Sequence, residues 1–562
     1  MLRLREIFHS KILYIIVLAF VLRILFIENF GVFTTSDEMY LFQNSLKPLT
    51  FLLNYSFSNY AAELFRFFNF NWGWGTLAIS TVSNFFLYLF KIPITELTYK
   101  IPYILVGTWT VYFVYLFGKE LKNKQVGLYA ALIMAIYPTY VSLSRSGGVN
   151  TVPSTFFFFL TLYLFLIYFK EGKYKGLAFF SLGLYFCTDL QSYGIIPLVF
   201  VLGLMFRYKN GIIKSCFNLT KELVFSLSAL FFFIPTVPVI LAALYLVSKG
   251  LLQNSYLLHI FQKSGYFGFF LYNFSYVIFL NAGPFLFVLF AIGILYCIIR
   301  TYKLPGDKAI IFVIFWFFLH IIPWIFIVIP SSTVVSDYII HPTSALIFLS
   351  ALFLTDLSKV LKKNKLFLFV ILIVLILPTL FVISAVVYKT IPFYENYNLA
   401  YVDTDRGTEM YIYGVPLGVH RGIVRDNTGI KSAGYYIREI SDENVVIFSD
   451  QESFVTEYYV GRTVAGQLDL FGEEEILESY QKLSSEFDIS FVYLEEKDYP
   501  NLRNIIESDG FDKIVFITQD DEVIGTLYAK EYKDPIVLDI EITDPLFDNK
   551  YGNLQSLFVD YD

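Results

Sequence analysis

Charge is scarce in this chain: Asp, Glu, Lys and Arg make up 16% of its 562 residues, against about a quarter in soluble domains. So little charge cannot solvate a water-soluble surface of this size. Cysteine is scarcer still. The three present, Cys187, Cys216 and Cys297, fall in or beside apolar segments with no CxxC pairing, which excludes a disulfide framework and a cysteine zinc site. Five histidines scattered singly point away from a histidine metal centre. The N-terminus, MLRLREIFHSK followed by ILYIIVLAFVLRILFI, carries no small-residue cleavage site after its apolar run, so it reads as a retained first helix rather than a signal peptide. Tandem repeats and low-complexity tracts are absent, and nothing points to nucleic acid as a partner.

What the chain has in excess is apolar side chains, 56% of the total with mean hydropathy +0.59. Runs long enough to cross about 30 Å of hydrocarbon occur near residues 11–28, 99–118, 126–144, 151–169, 176–188, 191–206, 223–247, 278–299, 309–329, 339–356 and 366–388. Eleven spans are therefore expected. A twelfth apolar stretch, Thr76 to Phe90, reads as a helix lying along the membrane surface. Counting it as a span would spoil the alternation of basic residues. With the N-terminus inside, the inner segments hold Lys119, Lys122 and Lys124, then Lys170, Lys173 and Lys175, and later Arg300, Lys303 and Lys308, whereas the outer segments before residue 389 hold only seven basic residues. Lys and Arg in short loops stay on the cytoplasmic side. An odd number of crossings leaves the C-terminus outside.

The expected fold is thus a polytopic α-helical membrane domain, residues 1–390, followed by an extracytoplasmic α/β domain, residues 391–562. From residue 400 onward there are 34 Asp and Glu against 13 Lys and Arg, a net charge of −21, which leaves +15 for the rest. VVIFS (445–449), ISFVYLE (489–495) and KIVFIT (513–518) read as buried strands with helices between them. No GxGxxG or phosphate loop occurs there, so no nucleotide is expected. A second outer piece is the long loop at 29–98, which holds the surface helix; loops of such length are usually functional.

That loop opens with the adjacent carboxylates Asp37 and Glu38 in TTSDEMY. Such a pair can take a proton from a hydroxyl, position an acceptor or ligate a hard cation; it can equally cap a short helix. The outer ends of other spans bring polar residues to the same level: Lys100 in TYKIP, Arg145 and Asn150 in SRSGGVN, Asp189 in TDLQSYG, and Asp337 and His341 in SDYIIHP. Each alone reads equally as a snorkelling or loop residue, but their clustering on the face of Asp37 and Glu38 points to a site, where a cation suits a lipid phosphate. Trp72 and Trp74 in NWGWG suit either a sugar platform or an interfacial anchor.

The order of these features resembles the GT-C glycosyltransferases, in particular the protein O-mannosyltransferases and the aminoarabinose transferase that modifies lipid A. The elements that carry the resemblance are the basic N-terminus, SDEMY, the 76–90 helix, YKIPYILVGTWTVYFVYLFGKEL, GLYAALIMAIYPTYVSLSR, DYIIHPTSALIFLSALFL, and KSAGYYIREISDENVVIFSDQESFVTEYYVGR at 431–462. The resemblance implies transfer of a sugar from a polyprenyl-phosphate donor to a protein, lipid or glycan acceptor on the outer face, with inversion at the anomeric carbon. It assigns Asp37, with Glu38 beside it, as general base or acceptor-positioning carboxylate. Lys100 and Arg145 then take the donor phosphate, and Asn150, Asp189, Asp337, His341, Trp72 and Trp74 line the cavity. The chain departs from the family's pattern in having Trp72-Gly73-Trp74-Gly75-Thr76 in place of a His-Pro-Pro or Lys-Pro-Pro element, Asn150 in place of Asp, and Asp337 in place of Arg.

No cofactor and no metal are assigned by this reading, and the partners are membrane lipid, the lipid-linked sugar and the acceptor. Two other functions fit a polytopic chain. A metal-dependent oligosaccharyltransferase would bind a divalent cation at Asp37 with a second acid such as Asp189. A lipid or glycan transporter would show inverted repeats and broken mid-membrane helices, which the sequence lacks. Eleven spans are excessive for a non-catalytic surface anchor.

Overall fold

A computed structural model describes residues 11–25, 74–92, 96–145, 150–188, 194–207, 212–237, 267–303, 306–326, 340–361, 373–377, 379–380, 401–404, 407–412, 415–416, 428–442, 445–450, 463–465, 473–495, 499–519, 522–530 and 536–539. The helical part comprises α1 (Lys11–Ile24), α2 (Trp74–Leu89), α3 (Glu96–Leu121), α4 (Lys124–Ala135), α5 (Pro138–Arg145), α6 (Thr151–Glu171), α7 (Lys175–Thr188), α8 (Ile195–Phe206), α9 (Ile212–Val224), α10 (Phe267–Lys303), α11 (Lys308–Phe326) and α12 (Ile340–Val360). Among the described residues, four helical stretches are long and apolar enough to cross a membrane: Thr98–Leu121, Thr151–Glu171, Phe285–Lys303 and Ile340–Val360. The number rises to six if the bent pairs Lys124–Ala135 with Pro138–Arg145 and Lys214–Val224 with Leu227–Val237 each make one span. The expected span at 366–388 falls largely outside the described residues. At 126–144 a single span was expected, and the helix breaks into α4 and α5. Pro138 starts α5, and proline has no N–H with which to continue the ladder.

Tight contacts between small residues hold the bundle. A Cβ on Gly118 would lie 2.8 Å from Gly127 Cα, and one on Gly127 would lie 2.5 Å from Tyr115 O, so α3 and α4 touch backbone to backbone. In lipid, where apolar burial between helices gains little, such close packing is what binds them. Asn123 starts α4, its Oδ1 accepting from Gln125 N and Val126 N, each at 3.0 Å, which satisfies donors left free in the first turn. Gly172, at φ 74°, ends α6 in the left-handed conformation.

Ion pairs gather at one end of the bundle. Lys122, just past α3, sits 2.7 Å from Asp307 ahead of α11; Arg300 in α10 reaches Asp307 at 3.8 Å and also pairs with Asp356 in α12. Arg207, after α8, is 2.9 Å from Glu222 in α9, and Lys170 of α6 is 3.9 Å from Glu120 of α3. The basic residues expected on the inner side therefore share one face with their acidic partners. The start of α3, the ends of α7 and α11 and the starts of α8 and α12 consequently lie toward the opposite face.

Helix α2 coincides with the expected surface helix and is inverted relative to a helix in water. Its polar residues Thr76, Ser80, Thr81 and Asn84 are buried, while Phe86, Leu89 and Phe90 are exposed. The polar stripe meets protein and the apolar stripe faces outward, an arrangement suited to lipid. Ser80 Oγ ties it to α3 at 3.3 Å from Tyr99 Oη and 2.5 Å from Tyr103 Oη.

The C-terminal part contains β1 (Tyr401–Thr404), β2 (Gly407–Ile412), β3 (Val415–Pro416), α13 (Thr428–Ile440), β4 (Val446–Ser449), β5 (Thr463–Ala465), α14 (Glu473–Glu486), β6 (Ile489–Glu495), α15 (Pro500–Ser508), β7 (Asp512–Gln519), β8 (Glu522–Ala529) and β9 (Ile536–Asp539). Strands β1 to β3 form a small antiparallel sheet, and the other six lie in the order β5-β4-β6-β8-β7-β9. The three strands and two intervening helices read from the sequence are present, but β6 and β7 are not neighbours. β8 lies between them, antiparallel to both. Its sequence EVIGTLYA was not recognised as a strand because Gly525 interrupts the apolar pattern. That glycine leaves room for Tyr493, whose Oη lies 2.5 Å from where a Cβ would be.

Gly127→Leu is expected to force α3 and α4 apart and to destabilise the detergent-solubilised protein by about 1–3 kcal/mol, seen as a lowered midpoint in thermal unfolding. An unchanged midpoint would remove the glycine contact as a determinant of the fold.

Candidate functional site

The face opposite the ion pairs carries the polar residues that the sequence singled out. Lys100, in the second turn of α3, is buried to 1% exposure. Arg145, at the C-terminal end of α5, is 5% exposed; its Nη1 donates to Leu22 O at 3.1 Å and Leu25 O at 2.9 Å. It thereby caps the last carbonyls of α1, where the helix dipole is negative. Gly107, seven residues or about 10 Å along α3 from Lys100, faces α5, because a Cβ there would lie 2.3 Å from Ser144 Oγ. Of the two expected phosphate-binding cations, Arg145 thus borders the packed junction of α1, α3 and α5, and Lys100 lies nearer the start of α3.

Sequence reasoning missed a second cation at that junction. Arg23, in the last turn of α1, is 0% exposed. Its Nη1 donates to Ala19 O at 2.9 Å and Ala135 O at 3.4 Å, and its guanidinium lies 5.4 Å from the centre of the Tyr140 ring. Nε and Nη2 have no hydrogen-bond partner among the described residues, at a cost of about 1–3 kcal/mol for each buried polar group left unmet. The available signal was a lone arginine inside an apolar span, which by default marks function.

Between α2 and the start of α3 runs an apolar groove of about 510 Å³, lined by Ile79, Ser83, Phe86 and Phe90 of α2 and its following turn, Thr98, Ile101 and Pro102 of α3, Phe157 of α6, and Thr188 of α7. Thr98, Ile101 and Pro102 share one side of α3, and the helical spacing puts buried Lys100 on the other side. An apolar groove of this kind can hold a long hydrocarbon.

The remaining expected residues are partly accounted for. His341, near the start of α12, is half-buried, with Nε2 3.3 Å from Tyr185 Oη of α7. Asn150 precedes α6 and makes no side-chain cap bond to it. Trp74 begins α2. Asp37, Glu38, Trp72, Asp189 and Asp337 lie outside the described residues. Among the described residues, no group of three His, Cys, Asp or Glu side chains is placed to share a metal ion.

Residues 77–241 match the family model for dolichyl-phosphate-mannose-protein mannosyltransferase. Among solved structures, the chain is similar to ArnT from Cupriavidus metallidurans bound to undecaprenyl phosphate, with a TM-score of 0.58 at 13% identity over 92% of this chain and 97% of that one. The apo form of the same protein matches with a TM-score of 0.56 at 11% identity and the same coverage. The chain shares the fold of that protein. It is a multi-pass membrane protein. The oligosaccharyltransferase of Archaeoglobus fulgidus, in complex with zinc and sulfate, is also similar, with a TM-score of 0.47 at 14% identity over 94% of this chain and 74% of that one. No curated protein matches the chain. The family match covers α2, save its first three residues, through α9, the elements that carry Lys100, Arg145 and the groove.

Arg23→Met replaces a cation having two unmet donors with an apolar side chain of similar length. The expected result is an equal or higher unfolding midpoint, because removing a buried charge in favour of packed hydrocarbon is often neutral or stabilising by about 1–4 kcal/mol. A clear drop in the midpoint would show that its carbonyl contacts hold the bundle together.

Proposed function

We propose that this protein is a glycosyltransferase that moves a sugar from a polyprenyl-phosphate donor to a protein, lipid or glycan acceptor on the outer face of the membrane. The observation that carries the reading is the apolar groove between α2 and the start of α3, at the end of the bundle opposite the ion pairs. The shared fold and the mannosyltransferase match support it, as does the undecaprenyl phosphate bound by ArnT of Cupriavidus metallidurans.

In this reading the polyprenyl chain lies in the groove, and its phosphate meets Lys100 and Arg145. A hydroxyl of the acceptor attacks the anomeric carbon from the side opposite the phosphate. The new carbon–oxygen bond forms as the bond to the phosphate oxygen breaks, and the configuration inverts. Asp37 takes the hydroxyl proton, with Glu38 beside it positioning the acceptor. The leaving group departs as polyprenyl phosphate, so cations that stabilise its developing charge and one base are sufficient. No metal is needed in this scheme.

Incubation of the full-length protein in nanodiscs with radiolabelled polyprenyl-phosphate sugars and a cell-envelope extract tests the proposal. Asp37→Asn is expected to lower transfer about 100-fold or more while leaving donor binding intact. Lys100→Ala is expected to raise the KM for donor about tenfold or more, through loss of a charge-assisted contact to phosphate. Undiminished transfer by Asp37→Asn removes it as the base, and absence of transfer from every donor removes the activity.

A further inference from the structure

One helix on the ion-paired side fits neither a membrane span nor the packed interior. Helix α9 has 13 residues, too few to cross the hydrocarbon, and rests on the last turns of α6 and α8. A Cβ on Gly203 would lie 2.7 Å from Leu219 Cδ1 and 3.0 Å from Phe169 Cζ, and Leu219 is fully buried. Three residues on, Glu222 pairs with Arg207 at 2.9 Å and accepts a hydrogen bond from Tyr168 Oη. The chain then bends by 54° into Leu227–Val237. That segment follows α7 away from the ion-paired side: a Cβ on Gly176 would lie 3.4 Å from Phe231, one on Gly183 would lie 2.5 Å from Pro235 Cγ, and Cys187 Sγ donates to Pro235 O at 3.1 Å. The leg after the bend therefore runs into the hydrocarbon, and α9 stays at its edge.

The outward side of α9 has mixed chemistry. Lys214, Phe217, Lys221 and Val224 recur every three or four residues, so they form one stripe, and all four are exposed. Phe217 is 70% exposed, and Phe225 and Leu227, just past the helix, are 79% and 81% exposed. Water suits the lysines and hydrocarbon suits the rings, so neither medium alone accommodates the stripe. The headgroup layer does: ammonium groups meet phosphate while the apolar side chains dip among the acyl chains.

Charge decides which headgroup fits. The ion pairs of this region are Arg207 with Glu222 and Lys173 with Glu171, which leave Lys175, Lys214 and Lys221 without a carboxylate partner among the described residues. Lys175 adjoins α9 through Tyr168, whose ring centre lies 5.3 Å from Lys175 Nζ and 5.0 Å from the Arg207 guanidinium. We propose that α9 is seated in the headgroup layer of the leaflet on the ion-paired side and selects anionic phospholipids there, through Lys214 and Lys221 with Lys175 beside them. A basic residue close to an anionic membrane surface contributes about a fivefold gain in affinity. The proposal goes beyond the transferase reading and stands whether or not sugar is transferred.

The test offers equal amounts of phosphatidylglycerol and phosphatidylcholine to the full-length protein in detergent and counts the lipids retained by native mass spectrometry. The wild type is expected to prefer phosphatidylglycerol about tenfold or more, with the preference shrinking as salt is raised. Lys214→Gln and Lys221→Gln are each expected to lower the preference about fivefold, whereas Phe217→Ser weakens retention of both lipids alike. Lys124→Gln and Lys303→Gln, which remove exposed lysines of the same side on other helices, are expected to leave the preference within about twofold. Unfolding midpoints measured alongside show that each variant is folded. A wild type without preference, the result for a face that docks a protein instead, overturns the proposal. So does a preference that survives in the double variant Lys214→Gln/Lys221→Gln, or one that falls equally in Lys124→Gln and Lys303→Gln.

Discussion

Four carboxylates, Glu120, Glu222, Asp307 and Asp356, gather the basic ends of α3, α6, α8, α10 and α12 on one face of the bundle. Single pairs at this level of exposure add little stability. Their value is in registration. A helix that starts beside Asp307 has nowhere to end but the other face, and hydrocarbon forbids the charged end from sliding inward. The site proposal depends on that sorting, since it is what places Lys100 and Arg145 toward the same end of the bundle.

On the site face the chemistry is organised by what is left unpaired. The ion pairs described join residues at the opposite face, whereas here Arg23 offers two donors without partners and His341 and Trp316 one polar atom each. Buried polar groups are normally satisfied, so these atoms stand apart from the rest of the core. The α2 helix contributes the complementary part. By burying Thr76, Ser80 and Asn84 and turning Phe86 and Phe90 outward, it makes one wall of a groove that hydrocarbon can enter from the side.

Much of this was legible in the sequence. The positions of α1, α2, α3, α6, α7, α8, α11 and α12 follow from long apolar runs and basic flanks, because hydrocarbon thickness and charge exclusion act on every residue of a span. Lys100, Arg145 and His341 were singled out from their positions at span ends. Arg23 was missed because it lies inside a run whose neighbours are all apolar; it acquires meaning only from residues more than a hundred positions away, such as Ala135. The break between α4 and α5 was signalled by Pro138. The insertion of β8 between β6 and β7 was not, since strand order depends on pairing partners rather than on the strand's own pattern.

The sorting of helix ends is tested most directly by labelling single cysteines with a membrane-impermeant maleimide, after replacing Cys187, Cys216 and Cys297 with alanine. Cysteine at Tyr174, an exposed residue between α6 and α7 on the ion-paired face, should react only after the cells are permeabilised, and cysteine at exposed Asp442 should react in intact cells. Labelling of position 174 from outside, with 442 protected, would reverse the membrane orientation and remove the outer-face site with it.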